Sequence, residues 1–280
     1  MPTAKTKEGI VEYRLTGEGP QSVIIFHGGH MHSGVALGED FFIERDYQIT
    51  VPSRPGYGET PVETGKTPSG FADAAVELLD QLNVDKVTVV GISAGGRTAM
   101  RLASQHPSRV SQLILQSSVS FDKWPDKKTR IAANVAFNSF NEQYTWAAMR
   151  ALFRKYPRFA LKTMLKEMTT MDAEKVVSGL SPENYDAMVG LFSQLRSGAG
   201  FMNDLSQAQE QKSELDIEVP TLIIHSKYDG SVPLHHPQSL AKKIKSSELM
   251  LSEAESHMIW FSTHYSEVEK TMAKFILEHP

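Results

Sequence analysis

Three residue types occur in one chain order: a serine in Gly91-Ile92-Ser93-Ala94-Gly95, an aspartate in Lys227-Tyr228-Asp229-Gly230, and a histidine in Glu255-Ser256-His257-Met258. A serine hydroxyl is a poor nucleophile at neutral pH unless an imidazole takes its proton and a carboxylate fixes that imidazole. The order serine, acid, histidine accompanies a nucleophile carried on a sharp strand-to-helix turn, where strained backbone exposes Oγ and flanking glycines let neighbouring chain pass closely. The segment VTVVGISAGGRTAM (87–100) has this form: a β-branched apolar run, the only G-x-S-x-G of the chain, then an Ala- and Met-rich helical pattern. A plain glycine-rich βα turn or a phosphate-binding turn is the competing reading. The spacings G-x-G-x-x-G and G-x-x-x-x-G-K-[ST] are both missed here.

Acyl chemistry also needs backbone N–H groups aimed at a developing oxyanion. Ala94, just after the serine, is one expected donor. The second is expected from IIFHGGH (24–30), a strand end followed by glycines, with Gly29 first and His30 next in line. His27, His30 and His32 invite a metal reading, but no second ligand set accompanies them and the H-x-H-x-D-H arrangement is absent, so no metal is expected. Asp229 follows the strand-like TLIIHS (221–226), and His257 follows ELMLSE (248–253), one βα unit later. Of the ten histidines, His225 falls inside a strand and reads as a core residue, while His235 and His236 read as a helix start. Asp122, after the strand near 110–117, is the alternative acid.

Composition narrows the chemistry further. The 280 residues contain no cysteine, which removes thiolate nucleophiles, disulfides and Cys-ligated metals. Lys plus Arg 29 against Asp plus Glu 33 leaves a net charge of −4, without the field that gathers nucleic acid. No apolar run reaches the ~18 residues of a membrane span, and the first residues lack the apolar core of a secretory signal. A cytoplasmic protein without stable membrane insertion is expected.

The elements that must position these residues follow from periodicity. Strands are expected near 10–16, 22–26, 48–52, 86–91, 110–117, 220–226 and 248–252, several of them apolar on consecutive positions as in parallel strands covered on both faces. Helical stripes at 71–82, 94–105 and 258–277 alternate with them. This is an α/β pattern with a mostly parallel sheet. The alternation stops after about residue 120 and resumes near 213. The division expected is an α/β core of 1–120 and 213–280, with a helical cap at 121–212. A basic stripe from Arg150 to Lys166 in the cap reads as a solvated face over an apolar one; a membrane-surface helix is the rival reading.

The chain resembles the α/β-hydrolase family through HGGH (27–30), SRPGYGET (53–60), GISAGG (91–96), KYDGSVP (227–233) and ESH (255–257). The resemblance implies an eight-stranded sheet with a helical cap between strands six and seven. It also implies Ser93, Asp229 and His257 as catalytic triad, and Gly29 and Ala94 as oxyanion donors. Members often carry Asp where Ser53 stands and Gly where Ser256 stands. Serine at 93 separates the chain from the haloalkane dehalogenases and epoxide hydrolases, whose nucleophile is aspartate.

The expected activity is therefore that of a serine hydrolase of carboxylesterase type, acting on a small-molecule ester without a cofactor. The other readings are a C–C bond hydrolase or acyl transferase with the same triad, or a ligand-binding receptor on a hydrolase scaffold. His30, Trp124, Phe137, Phe140, Trp146, Met149, Met188, Phe192, Phe201, Met202 and Met258 are candidates to line a pocket for a small to medium apolar acyl group, with core packing the alternative for the cap residues. Oligomeric state is not encoded in any recognisable pattern.

Overall fold

The computed structural model describes residues 1–138, 140–207 and 216–280. Eight strands form one sheet: β1 (Thr3–Thr6), β2 (Gly9–Thr16), β3 (Gln21–Phe26), β4 (Tyr47–Pro52), β5 (Val87–Ile92), β6 (Val110–Gln116), β7 (Thr221–Ser226) and β8 (Ser247–Ser252). Their spatial order is β1-β2-β4-β3-β5-β6-β7-β8. β2 runs antiparallel to β1 and β4, and the pairs from β4 through β8 are parallel. Sequence periodicity finds seven of these strands. It misses β1, whose TAKT has too little apolar character and whose alternation is only two residues deep.

The apolar runs explain the layering. Every residue of β5 and β7 is buried, because helices cover both faces. On one side lie α2 (Pro68–Gln81), started by Thr67 capping the Gly70 amide, and α3 (Gly96–Gln105). Phe71, Leu78 and Leu79 of α2 pack there with Val89, Met100, Leu102 and Leu113. The second face packs against α1 (Asp40–Ile43) and α11 (Tyr265–Glu278), and the same apolar cluster runs on into the cap. The helix expected over 258–277 is interrupted. A 3-10 turn at Ile259–Phe261 is followed by Ser262, whose hydroxyl takes the His264 amide, and α11 begins only at Tyr265.

Between β6 and β7 the chain leaves the sheet and forms the helical insertion, with α4 (Lys127–Phe137), α5 (Glu142–Lys155), α6 (Pro157–Leu165), α7 (Ala173–Gly179), α8 (Pro182–Gln194) and α9 (Gly200–Ser206). The expected boundary at 212/213 lies outside the described residues. Caps mark the starts: Asp172 accepts the Glu174 amide, and Ser181, followed by Pro182, accepts the Asn184 amide. The basic stripe is solvent-facing, with Arg158 and Lys162 both paired to Glu174 while Phe153, Leu161 and Leu165 turn inward. Phe159, an apolar residue of that stripe, is exposed. After the cap, α10 (His235–Lys243) follows β7, starting at the two histidines read as a helix start.

Candidate active site

The sheet order reverses direction at β3, with β4 on one side and β5 on the other, so the loops leaving the C-terminal ends of β3 and β5 diverge and leave a crevice. Register makes the juxtaposition specific. Phe26 pairs with Gly91, which sets the loop His27-Gly28-Gly29-His30 beside Ser93. A Cβ on Gly28 would lie 3.0 Å from the Ser93 Cβ. On the other flank, Ser226 pairs with Ser252, so the loops carrying Asp229 and His257 leave the sheet as neighbours.

Ser93 sits on the turn between β5 and α3 at φ 50°, a left-handed conformation that serine adopts only when its surroundings hold it there. Those surroundings are close. Val119 N donates to the Ser93 carbonyl at 3.0 Å, and a Cβ on Gly95 would come within 2.2 Å of the Phe26 oxygen. Gly91 is equally confined, 2.6 Å from the Ala99 Cβ by the same measure, so α3 can begin directly against the strand.

His257 Nδ1 lies 2.7 Å from Asp229 Oδ2, both residues buried. The other carboxylate oxygen, Oδ1, accepts the amides of Ser231 and Val232, each at 2.8 Å. Asp122, the alternative acid, is engaged elsewhere with Ser120 and Lys243. Ser256, in the place where glycine is common, accepts the Met258 amide with its hydroxyl. His225 is a core residue, but its Nε2 donates to the Val232 carbonyl at 2.8 Å and stands 3.4 Å from Asp229 Oδ2. Burial lowers its pKa, so this ring is a neutral neighbour of the acid.

The cap grips this half of the site through Glu167–Thr170. Met168 O accepts from Gly230 N (3.2 Å) and His257 N (2.8 Å), Thr170 N donates to Tyr228 O, and Thr169 Oγ1 donates to Glu255 O. No spacing in the sequence points to that segment, because all but the Thr169 hydroxyl act through backbone groups.

A second cap contact holds the glycine loop. Arg54 donates to the carbonyls of His27 (2.7 Å) and Gly28 (3.0 Å) and forms a buried two-bond pair with Asp204 of α9 at 2.5 and 2.8 Å. Tyr57 donates its hydroxyl to Asp204 at 2.6 Å. The two backbone carbonyls that precede Gly29 are thereby occupied. Arg54 and Tyr57 lie in SRPGYGET, visible in the sequence as a motif without an assigned role, and Asp204 has no sequence signal.

Ser53 explains itself once β2 is in place. Glu12 lies across from it, accepting hydroxyl protons from Ser33 and Ser53 at 2.6 Å each and the Glu59 amide at 3.0 Å. The carboxylate common at position 53 is supplied here from the neighbouring strand. Burial raises the Glu12 pKa, but these donors outweigh it and hold the group ionised.

The expected pocket residues separate into groups. His30, Phe137, Trp146 and Phe201 come together, the His30 ring centroid lying 3.9 to 5.2 Å from the other three. Trp124 donates its indole N–H to Ser231 O, beside the acid loop. Met202 is half-buried on α9. Met188, Phe192 and Met258 are buried in the apolar cluster, with Phe192 stacked on Phe153, and Met149 packs against that cluster. Phe140 does not join any of these. The Asn138 side chain caps the turn after α4 and swings Phe140 outward, 74% exposed against Tyr144. The three histidines near residue 30 also separate. Among the described residues neither ring nitrogen of buried His27 has a hydrogen-bond partner, Nε2 standing 3.7 Å from Glu39 Oε1, while His30 bonds Ser197 and His32 accepts the Gly34 amide. Among the described residues no group of three His, Cys, Asp or Glu side chains could hold a metal, and no helix is long and apolar enough to cross a membrane.

Comparison with known proteins places the fold. An uncharacterized hydrolase of Bacillus subtilis strain 168, YcgS, is 34% identical over 271 residues, covering 96% of this chain and 95% of its own. A pimeloyl-[acyl-carrier protein] methyl ester esterase of Nitrosomonas europaea is 25% identical over 253 residues, 86% of this chain and 90% of its own. An α/β-hydrolase fold protein from Nakamurella multipartita superposes with a TM-score of 0.85 at 24% identity, covering 98% of each chain, a likeness of fold. The family model for the α/β-hydrolase fold matches residues 21–262. The chain belongs to the α/β-hydrolase fold family.

Proposed function

We propose that the protein is a serine hydrolase that cleaves the ester bond of a small to medium apolar substrate through an acyl-enzyme. The observation that carries this reading is the 2.7 Å contact between His257 Nδ1 and Asp229 Oδ2, with Ser93 on its strained turn at the same edge of the sheet, at the end of β5. In the first step Ser93 Oγ attacks the acyl carbonyl and its proton passes to His257 Nε2. Asp229 keeps the Nδ1 proton in place and stabilises the imidazolium. The oxyanion is held by the amides of Gly29 and Ala94, each worth about 3 kcal/mol in comparable sites. Collapse expels the alcohol, which takes the proton from His257. Water then repeats the sequence on the acyl-enzyme and releases the acid. Every group needed is a side chain or amide of this chain, so the mechanism calls for no cofactor.

The aromatic set around His30 supports an apolar acyl group, and the esterase named among the relatives is in keeping with ester cleavage. Labelling with a fluorophosphonate followed by turnover of p-nitrophenyl esters of increasing acyl length tests the reading. Ser93→Ala is expected to abolish labelling and lower kcat by about 10⁴ to 10⁶. A folded wild-type protein that neither labels at Ser93 nor turns over any ester, while ligands raise its Tm, would instead mark a receptor on this scaffold.

A further inference from the structure

His30 is the one titratable side chain in the aromatic group of Phe137, Trp146 and Phe201 beside the glycine loop, and its hydrogen-bond state can be deduced. The Trp146 indole, which can only donate, gives its N–H to Ser197 Oγ at 2.7 Å. Ser197 Oγ is also 2.8 Å from His30 Nδ1. Ser197 is fully buried, and these are its only side-chain partners among the described residues, so its single hydroxyl proton has one acceptor available: Nδ1. The ring itself stays neutral, burial pushing its pKa down to about 3. A neutral imidazole that accepts at Nδ1 carries its proton on Nε2. No protein oxygen takes that proton among the described residues, and Nε2 is not one of the sealed, unpartnered atoms of the core.

The ring is also held in position. His30 has φ 65°, its carbonyl accepts the Arg196 amide at 2.9 Å, and Phe137, Trp146 and Phe201 enclose the ring. A left-handed non-glycine residue fixed at its carbonyl and on its side chain is a rigid donor.

We propose that the relay Trp146–Ser197–His30 fixes His30 as a neutral Nε2–H donor that selects an acyl group bearing an uncharged acceptor oxygen, keto or alkoxy, close to the scissile carbonyl. The inference rests on the serine-hydrolase reading for the identity of the reacting carbonyl. His30 directly follows Gly29, one of the amides assigned to the oxyanion in that reading, so an oxygen bound by its ring lies near the scissile carbonyl. A half-buried donor with no protein acceptor discriminates between substrates, because an analogue without the acceptor leaves the donor unpaired.

Two near-isosteric pairs test it: p-nitrophenyl methoxyacetate against butanoate, and 3-methoxypropanoate against pentanoate. Intrinsic reactivity cancels when the kcat/KM ratio within a pair is compared between wild type and His30→Phe. In at least one pair the preference for the alkoxy ester is expected to fall about tenfold or more in the variant. Unchanged ratios in both pairs would overturn the proposal. Because position 30 is strained, a measurement on unmutated protein accompanies it: ¹⁵N spectra of the imidazole are expected to place the proton on Nε2 from pH 5 to 9, and Ser197→Ala to release that preference. A proton on Nδ1 in the wild type would refute the relay. Calorimetric binding of the same ester pairs to Ser93→Ala reads the His30 preference without turnover. An alkoxy preference there, absent when His30→Phe is added, upholds the donor even if Ser93 proves unreactive; equal affinities reject it while ester turnover stands.

Discussion

Asp204 sits on the cap, is buried, and accepts three hydrogen bonds from the body: two from Arg54 and one from Tyr57. Asp204→Asn keeps the side-chain shape and removes the charge, leaving the Arg54 guanidinium buried against a neutral amide. Breaking a buried pair from one side costs about 3–5 kcal/mol, a large share of the ~5–15 kcal/mol that typically separates folded from unfolded chains. Denaturant unfolding followed by tryptophan fluorescence is expected to register a loss of that size. Replacing both partners, Arg54→Met with Asp204→Leu, removes the uncompensated charge and is expected to recover most of the stability. Activity obeys a different constraint. Arg54 also donates to the His27 and Gly28 carbonyls at 2.7 and 3.0 Å, and the double variant leaves both without that donor. Displacement of a catalytic amide on the order of 1 Å costs about a hundredfold in rate. The double variant is thus expected to be stable, with kcat for a short ester reduced about a hundredfold and KM changed by no more than about threefold. Strictly additive stability losses, or a stable double variant with wild-type kcat, would refute the view that this pair ties the cap to the glycine loop at the proposed site.

Two further outcomes follow from buried charge. Ser53→Asp, which installs the residue common in the family, brings a second carboxylate against Glu12 where the serine hydroxyl now donates at 2.6 Å; it is expected to destabilise by about 1–3 kcal/mol at pH 7, and the exchange Glu12→Ser with Ser53→Asp to restore much of that loss, whereas a neutral or stabilising single variant would contradict the relay of the carboxylate to β2. His27 and His236 are buried, and burial lowers the pKa of each from 6.5 to about 3. The unfolded chain therefore binds more protons than the folded one between those values, so stability is complete above pH 6.5 and falls as pH drops toward 3, by about 1.4 kcal/mol per pH unit per histidine at most. Urea midpoints measured from pH 7 to 4.5 are expected to decline, and His27→Gln to lessen the slope; an identical slope in the variant would show that His27 is not neutral in the fold.

Much of the body was legible because its signals are local. β5 reads as buried on consecutive positions, and the turn around Ser93 needs glycine at 91 and 95, where backbone and side-chain atoms come within 3 Å of an added Cβ. β1 escaped because two inward residues make no pattern, and the last helical stripe concealed a break because Ser262 ends it with a side chain rather than with glycine or proline. In the cap, apolar residues marked helices without distinguishing a residue that packs the core, such as Phe192, from one facing His30, such as Phe137, or one in solvent, such as Phe140. All three types obey the same helical spacing.

The sequence by itself determined the α/β order of elements, the strained serine turn, and the chain order of serine, acid and histidine, since each depends on neighbours a few residues apart. Only the tertiary structure decided what holds them. Glu12 standing in for an acid at 53, Met168 pinning the two loops of Asp229 and His257, and Asp204 gripping Arg54 across 150 residues all depend on where distant segments land. A carboxylate in a helix has many exposed fates, and burial beside a guanidinium is one that only packing selects.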